Sequence, residues 1–494
     1  MKFIFILLTL FFAQQLFAQE QDSIKRYKKR VLETPEVELL MSYYNQDGVH
    51  SPVGGGIGSE ELTDVTPTIV ITMPLNDDDV LTIDMGLSAY TSASSSNINP
   101  FNSNSSTTGA SRGGGGGGGR DNDEGDDDHH GGNNNGTSSP TGTPWLASSG
   151  ASKSDVLAAG HLSYSHSSDS RNFIWGSNLA VSNEFDYTSF GFGGDLSWQF
   201  NEKNTELGLK GQVYLDTWRP IYPTELHEYG IYGNNFQNEG YFQGVSILDQ
   251  NGNVSTNYHP TQFNTITSNA RNSYSASLFL SQIFSKKLQA SLFLDVVMQD
   301  GLLSTPYHRI YFADRSNYYI GNASDIPHYT TPANTGVFML ADDIERMPST
   351  RLKLPIGARL NYYINERFVV RSYYRYYIDD WGMTAHTASI ELPIKLSQAF
   401  TVTPIYRFYT QQQVDYFAPF DTHLSTGKYY TSDYDLSTFQ SNQYGIGLTY
   451  TDILVKFKIS RFGMKTINLR YGHYDRDDGL KADIISMGIK FVFE

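Results

Sequence analysis

Over positions 367–379, Arg371, Tyr373, Arg375, Tyr377 and Asp379 share one side of a two-residue alternation, and Val370, Tyr374, Tyr376 and Ile378 share the other. Arg407, Tyr409 and Gln411 repeat the theme farther on. A guanidinium presents a planar fork of donors that grips a carboxylate or phosphate by two bonds, so a ladder of arginines and phenols along one wall is a track for anions. The same arginines have a second possible use. Asp84, Asp195, Asp216, Asp295 and Glu391 stand at matching inward positions, and a wall neutralised by them would plug whatever it lines, because an unpaired charge in a narrow interior is costly.

Asp379, Asp380, Trp381 and His386 follow at a tight hairpin. A carboxylate with an imidazole can activate water or hold a metal. No positioned nucleophile accompanies them, the acids suit turn amides, and Trp381 suits a membrane interface, so no catalysis is expected. A third group lies in a tract of seven glycines, Gly113 to Gly119, followed by Asp121, Asp123, Glu124, Asp126, Asp127, Asp128, His129 and His130. Such acids and imidazoles can collect a divalent cation, although Gly125 falls one position early for an EF-hand. Composition makes the tract a solvated, disordered loop. Thr108-Gly109-Ala110-Ser111 and Ser149-Gly150-Ala151-Ser152 are similar to the core at which flavin transferases attach FMN. Neither has the usual upstream aspartate, so covalent flavin at Ser111 or Ser152 is not expected, nor is any other cofactor.

The elements that must position these groups are strands. Ile485, Met487, Ile489, Phe491 and Phe493 alternate with Ser486, Gly488 and Lys490, and segments of about ten residues with this pattern recur along the chain, as in a transmembrane β-barrel. Val37, Leu39, Met41 and Tyr43 form the first lipid-facing row, and Ile69, Ile71, Met73 and Leu75 the second. Short turns at 76–79, 201–204, 285–287, 365–367 and 397–398 alternate with long connections at 91–155, 217–271, 300–350 and 412–438. That asymmetry predicts an all-β antiparallel barrel of about 16 strands, with short periplasmic turns and long extracellular loops. Alternation alone would also fit a soluble sandwich, but the length, the connection asymmetry and the aromatic final strand favour the barrel. An even strand count makes Ile453 to Ile459 a periplasmic excursion, read here as a short amphipathic helix.

Met1-Lys2, the apolar run Phe3 to Phe12 and Leu16-Phe17-Ala18 read as a signal peptide over 1–18, with a mature chain from about Gln19. A periplasmic segment over 19–35 and a barrel over 36–494 follow, the latter with a long low-complexity loop at 91–155. With no cysteine, the barrel is expected to be neither a lipoprotein nor a c-type cytochrome. Mean hydropathy is −0.39, and no run beyond the leader approaches the length of a spanning helix. A formal charge of −16 argues against nucleic-acid binding. The 34 tyrosines and 29 phenylalanines suit the aromatic girdles of a barrel.

Leu302-Leu303-Ser304-Thr305-Pro306-Tyr307, Glu345-Arg346-Met347-Pro348, Tyr374 to Gly382 with His386-Thr387, and Arg407-Phe408-Tyr409 with Gln411 carry a resemblance to domain-of-unknown-function family 3570, an uncharacterised group of outer-membrane barrels. The resemblance implies a barrel and, through the family's usual genetic company, partners such as a small lipoprotein, a thioredoxin-like periplasmic protein and a flavin transferase. The chain is therefore read as a non-enzymatic channel or scaffold in a Gram-negative outer membrane, in contact with its lipids and with the barrel assembly machinery. A barrel component of an extracytoplasmic electron-transfer assembly is the second reading, and a surface hydrolase built on Asp379, Asp380 and His386 the third.

Overall fold

The computed structural model describes residues 30–91, 154–239, 242–261, 263–328 and 337–493. Sixteen antiparallel strands form one closed ring. They are β1 Glu36–Asp47, β2 Leu62–Pro74, β3 Asp79–Thr91, β4 Ser154–Ser167, β5 Phe173–Asn183, β6 Tyr187–Phe200, β7 Thr205–Trp218, β8 Arg271–Ser285 and β9 Leu288–Gly301. The second half comprises β10 (Thr350–Lys353 and Ile356–Tyr363), β11 Val369–Ile378, β12 (Thr384–Glu391 and Ile394–Lys395), β13 Phe400–Gln411, β14 Phe439–Thr451, β15 Phe462–Arg476 and β16 Lys481–Phe493. Both interrupted strands break at a proline, Pro355 or Pro393, which has no N–H for the ladder. Closure is the pairing of β1 with β16, in which Val37 faces Phe491 and Met41 faces Met487.

Cross-strand partners share a face, so the ladder registers sort every side chain into lipid-facing or lumen-facing rows. Leu39, Met41, Met85, Leu87, Phe190, Phe192, Leu292, Ile446, Leu448 and Met487 are exposed on the outer face, where lipid rather than water meets them. Aromatic pairs ring the turn end: Phe173 with Trp198, Phe400 with Tyr450 and Phe462 with Phe493, at centroid separations of 5.4, 5.1 and 5.4 Å. The β2–β3 turn shows why so few residues suffice there. Asn76 Oδ1 accepts from the amides of Asp78 and Asp79 at 2.8 and 2.9 Å, an Asx turn that reverses the chain locally.

Ile453 to Ile459 lies at the turn end but is not a helix. Residues Lys458–Ile459 fold back as a two-residue strand on Phe462 and Gly463, and Asp452 Oδ2 accepts from the amides of Lys456 and Phe457, which holds the bend.

At the other end the loops 48–61, 219–270, 302–349 and 412–438 build a folded cap. Helix α1 (Thr224–Tyr232) and two small sheets, one of Ile247–Asp249, Tyr318–Gly321 and Val337–Met339, the other of Arg309–Ile310 and Asp343–Ile344, surround a core of their own. Leu226, Phe236, Phe242, Ile247, Ile320 and Met339 are among its fully buried large apolar side chains. The wall keeps its apolar residues outside and the cap keeps them inside, which is how a membrane element and a water-facing element must differ.

Candidate functional site: the lumen wall and the cap across its mouth

On β11 the inward row is Arg371, Tyr373, Arg375 and Tyr377, set by pairing with the inward rows of β10 and β12. On β13 it is Arg407, Tyr409 and Gln411, opposite Gln443 and Ser441 of β14. Arg359 of β10 and Arg470 of β15 join them, each in register with an inward neighbour. The basic arc thus runs over β10 to β15. Acids occupy the other half of the ring: Asp64, Asp84, Asp195, Glu206 and Asp295 on β2 to β9, with Lys210 and Arg271 as exceptions.

This division bears on whether the wall neutralises itself. Of the five inward acids named from the sequence, only Glu391 lies among the arginines, 3.8 Å from Arg371 and 3.6 Å from Arg470. One carboxylate shared by two guanidiniums whose side chains are 54% and 52% exposed is a weak neutraliser. Asp216 instead accepts from the Tyr187 hydroxyl. Arg407 forms no ion pair among the described residues, and the Nε of Arg375 is buried without a hydrogen-bond partner.

An aromatic patch adjoins the arginines. Phe293 stacks on Tyr373 at 5.7 Å and 13°, and the Arg359 guanidinium lies 5.8 and 5.6 Å from the two rings, within cation–π range. Phe293 and its cross-strand partner Phe279 each lie over a glycine of the next strand. A Cβ at Gly208 would stand 1.8 Å from Phe279, and one at Gly357 would stand 2.1 Å from Phe293. Periodicity applied to β8, β9 and β10 places Phe279, Phe293 and Arg359 inward, so the signal for this patch was available in the sequence.

The rim acids and His386 do not meet. Asp379 is buried, takes the Arg351 guanidinium at 2.8 Å and the Tyr377 hydroxyl at 2.7 Å, and accepts from the amides of Trp381 and Met383 at 3.0 Å. It is a fully occupied hairpin cap. Asp380 accepts from the Leu352 amide at 2.9 Å. His386 pairs across the ladder with Tyr376 on the outer face and contacts the Tyr374 hydroxyl at 2.8 Å, so it belongs to the lipid-side aromatics. The grouping of Asp379, Asp380 and His386 as one rim cluster is thereby corrected. The signal was legible, since Glu391 points inward and His386, five positions earlier, must then point outward. Asp126, Asp127, Asp128, His129, His130, Ser111 and Ser152 lie outside the described residues.

The cap crosses the mouth. β1 and β9 are eight strands apart in a ring of sixteen, and so stand diametrically opposite. The loop after β9 carries Arg309, whose Nη1 donates to Val53 O, in the loop after β1, at 3.0 Å. Arg309 is wholly buried and also grips Glu225 of α1 by two bonds, 2.6 and 3.1 Å. From the basic arc, Gln411 donates to the carbonyl of Asp435 at 2.9 Å, and Arg476 holds the Asp435 carboxylate at 2.6 Å. Sequence reasoning gave no hint of these joins, which link residues up to 256 positions apart.

Fold and wall together define a transmembrane β-barrel with a charge-divided lumen and a folded cap. Residues 8–482 match the family described as "Protein of unknown function (DUF3570)", and the chain belongs to it. No curated protein matches. Among solved structures, a bacterial polysaccharide outer membrane secretin is similar at 10% identity over 93% of this chain and 98% of that one, with a TM-score of 0.38. The P. putida toluene transporter TodX is similar at 10% identity over 94% and 91%, TM-score 0.34, and the outer membrane protein OpdK from Pseudomonas aeruginosa at 6% over 94% and 99%, TM-score 0.34. These likenesses are too distant to bear on function.

Proposed function

We propose that the chain is a non-enzymatic outer-membrane channel for small anions, its turns in the periplasm and its cap outside as a movable cover. The observation that carries this reading is the pair Arg375 and Arg407. Both face the lumen on the basic arc without a carboxylate partner among the described residues, and Arg375 has a buried, unsatisfied Nε. A buried donor left without a partner costs about 1–3 kcal/mol, which an anion lodged against the arc would offset. Rings of about sixteen strands leave an aqueous lumen unless loops fill it, and here the loops are engaged with one another across the mouth.

Single-channel recording in planar bilayers tests the proposal. Wild type should show rare openings with anion preference, and Arg375→Gln with Arg407→Gln should cut the anion-to-cation permeability ratio several-fold. Absence of conductance, both in wild type and in a variant whose cap is loosened, would leave a plugged scaffold instead.

A further inference from the structure

Within the cap, three groups from two loops converge. His308 and Glu345 come from loop 302–349 and Asp433 from loop 412–438, and one ligand atom from each lies within 4.8 Å of the others. The Nδ1 of His308 is buried, has no hydrogen-bond partner and points at Glu345 Oε1, 3.6 Å away, beyond hydrogen-bond reach. His308 is 8% exposed and Glu345 3%. An imidazole nitrogen and two carboxylates, with His308 and Glu345 buried and Asp433 half-buried, form a donor set for a first-row divalent transition ion.

We infer that His308, Glu345 and Asp433 form a binding site for a divalent transition ion such as Zn²⁺, which fastens loop 302–349 to loop 412–438. Tetrahedral zinc holds its ligand atoms about 3.3 Å apart, so the cluster must contract by at most about 1.5 Å. The groups around it already fix the ligands. Glu345 Oε2 accepts from the Thr305 amide at 2.6 Å, Oε1 accepts from the Thr431 hydroxyl, and the Glu345 amide donates to the His308 carbonyl at 2.9 Å. Asp433 is positioned by its own amide, which donates to Thr431 Oγ1 at 3.1 Å, and by the Asp435 amide on its Oδ1 at 2.9 Å. Such outer contacts orient ligands in metal sites, and the position left open by three protein ligands would take water.

The experiment uses the full-length barrel in detergent, stripped with chelator and titrated with Zn²⁺ by calorimetry and elemental analysis. The loop at 121–130 carries its own acids and histidines, so the quantity read is a difference between variants. Wild type should hold one more equivalent than His308→Ala, and Asp433→Asn, a milder change, should weaken that equivalent at least tenfold. Zn²⁺ should also slow amide exchange in both loops together in wild type and in neither loop of His308→Ala. Equal stoichiometry in wild type and both variants, with heat-modifiable barrel retained, would overturn the inference. So would protection confined to one loop.

Discussion

The barrel wall and the cap are built from one chain by opposite rules. In the wall a residue's environment is decided by whether its position is odd or even, and the ladder between neighbouring strands satisfies the backbone polar groups apart from breaks such as those at Pro355 and Pro393. In the cap, Leu226, Phe236, Ile247 and Met339 meet without any period, and a buried ion pair, Arg309 with Glu225, lies among apolar side chains. The wall owes its closure to the membrane it spans, whereas the cap must stand on its own core. Damage to the wall should therefore be all-or-none, and damage to the cap local.

The largest effect expected is in the wall. Ser486 of β16 pairs with Ser42 on one side and Arg470 on the other, so Ser486→Pro removes a ladder donor from the strand that completes the ring and leaves a carbonyl unmatched in the membrane. No heat-modifiable barrel should be recovered from outer membranes. Normal recovery would erase the contrast between the two regions.

In the cap, Arg309→Met should leave the barrel intact and strand Glu225 as a buried unpaired charge, at a cost of about 3–5 kcal/mol. Limited proteolysis should then cut loops 219–270 and 302–349 while the strands stay protected. Adding Glu225→Leu should restore most of the resistance, since an apolar pair is close to neutral in such a place. If the single variant were also lost from the membrane, cap and wall would be one cooperative unit.

A smaller effect sharpens the picture of the cap. Asp342 is buried, and burial pushes its carboxyl up to about 7; Asp421 and Asp343 add to this, while the Phe312 amide and Arg315 oppose it. A carboxyl with a raised native pKa stays protonated in the cap after the unfolded form has ionised, so its penalty begins near pH 4, grows to about pH 7 and is constant above. Asp342→Asn should stabilise the cap by about 2–4 kcal/mol at pH 8 and hardly at all at pH 4. Hydrogen exchange of cap amides against pH is the measurement, and a gain that was the same at both pH values would refute the assignment.

The strands, their faces and their turns could be read from the sequence because period-two alternation is a local property. Arg371 and Arg407 could be placed without knowing any distant contact. His386 was grouped with the rim acids because closeness to a hairpin was weighed above parity, and the rule that placed Glu391 inward would have placed His386 on the outer face. The cap was not legible. Its joins, such as Arg309 to Val53, depend on where the ring brings loop ends in space, and His308, Glu345 and Asp433 have no spacing that would mark them as one group.

The contact between Arg309 and Val53 also has a mechanical side. A ring of hydrogen-bonded strands resists stretching along its circumference but yields readily to flattening into an oval. A tie from one side to the diametrically opposite side works like a spoke in a hoop, opposing that deformation at the rim where the loops attach. Cutting it would both uncover the mouth and free its outline to change. The conductance of a barrel without its cap is then a property of a differently shaped opening, not of the native lumen with its cover lifted.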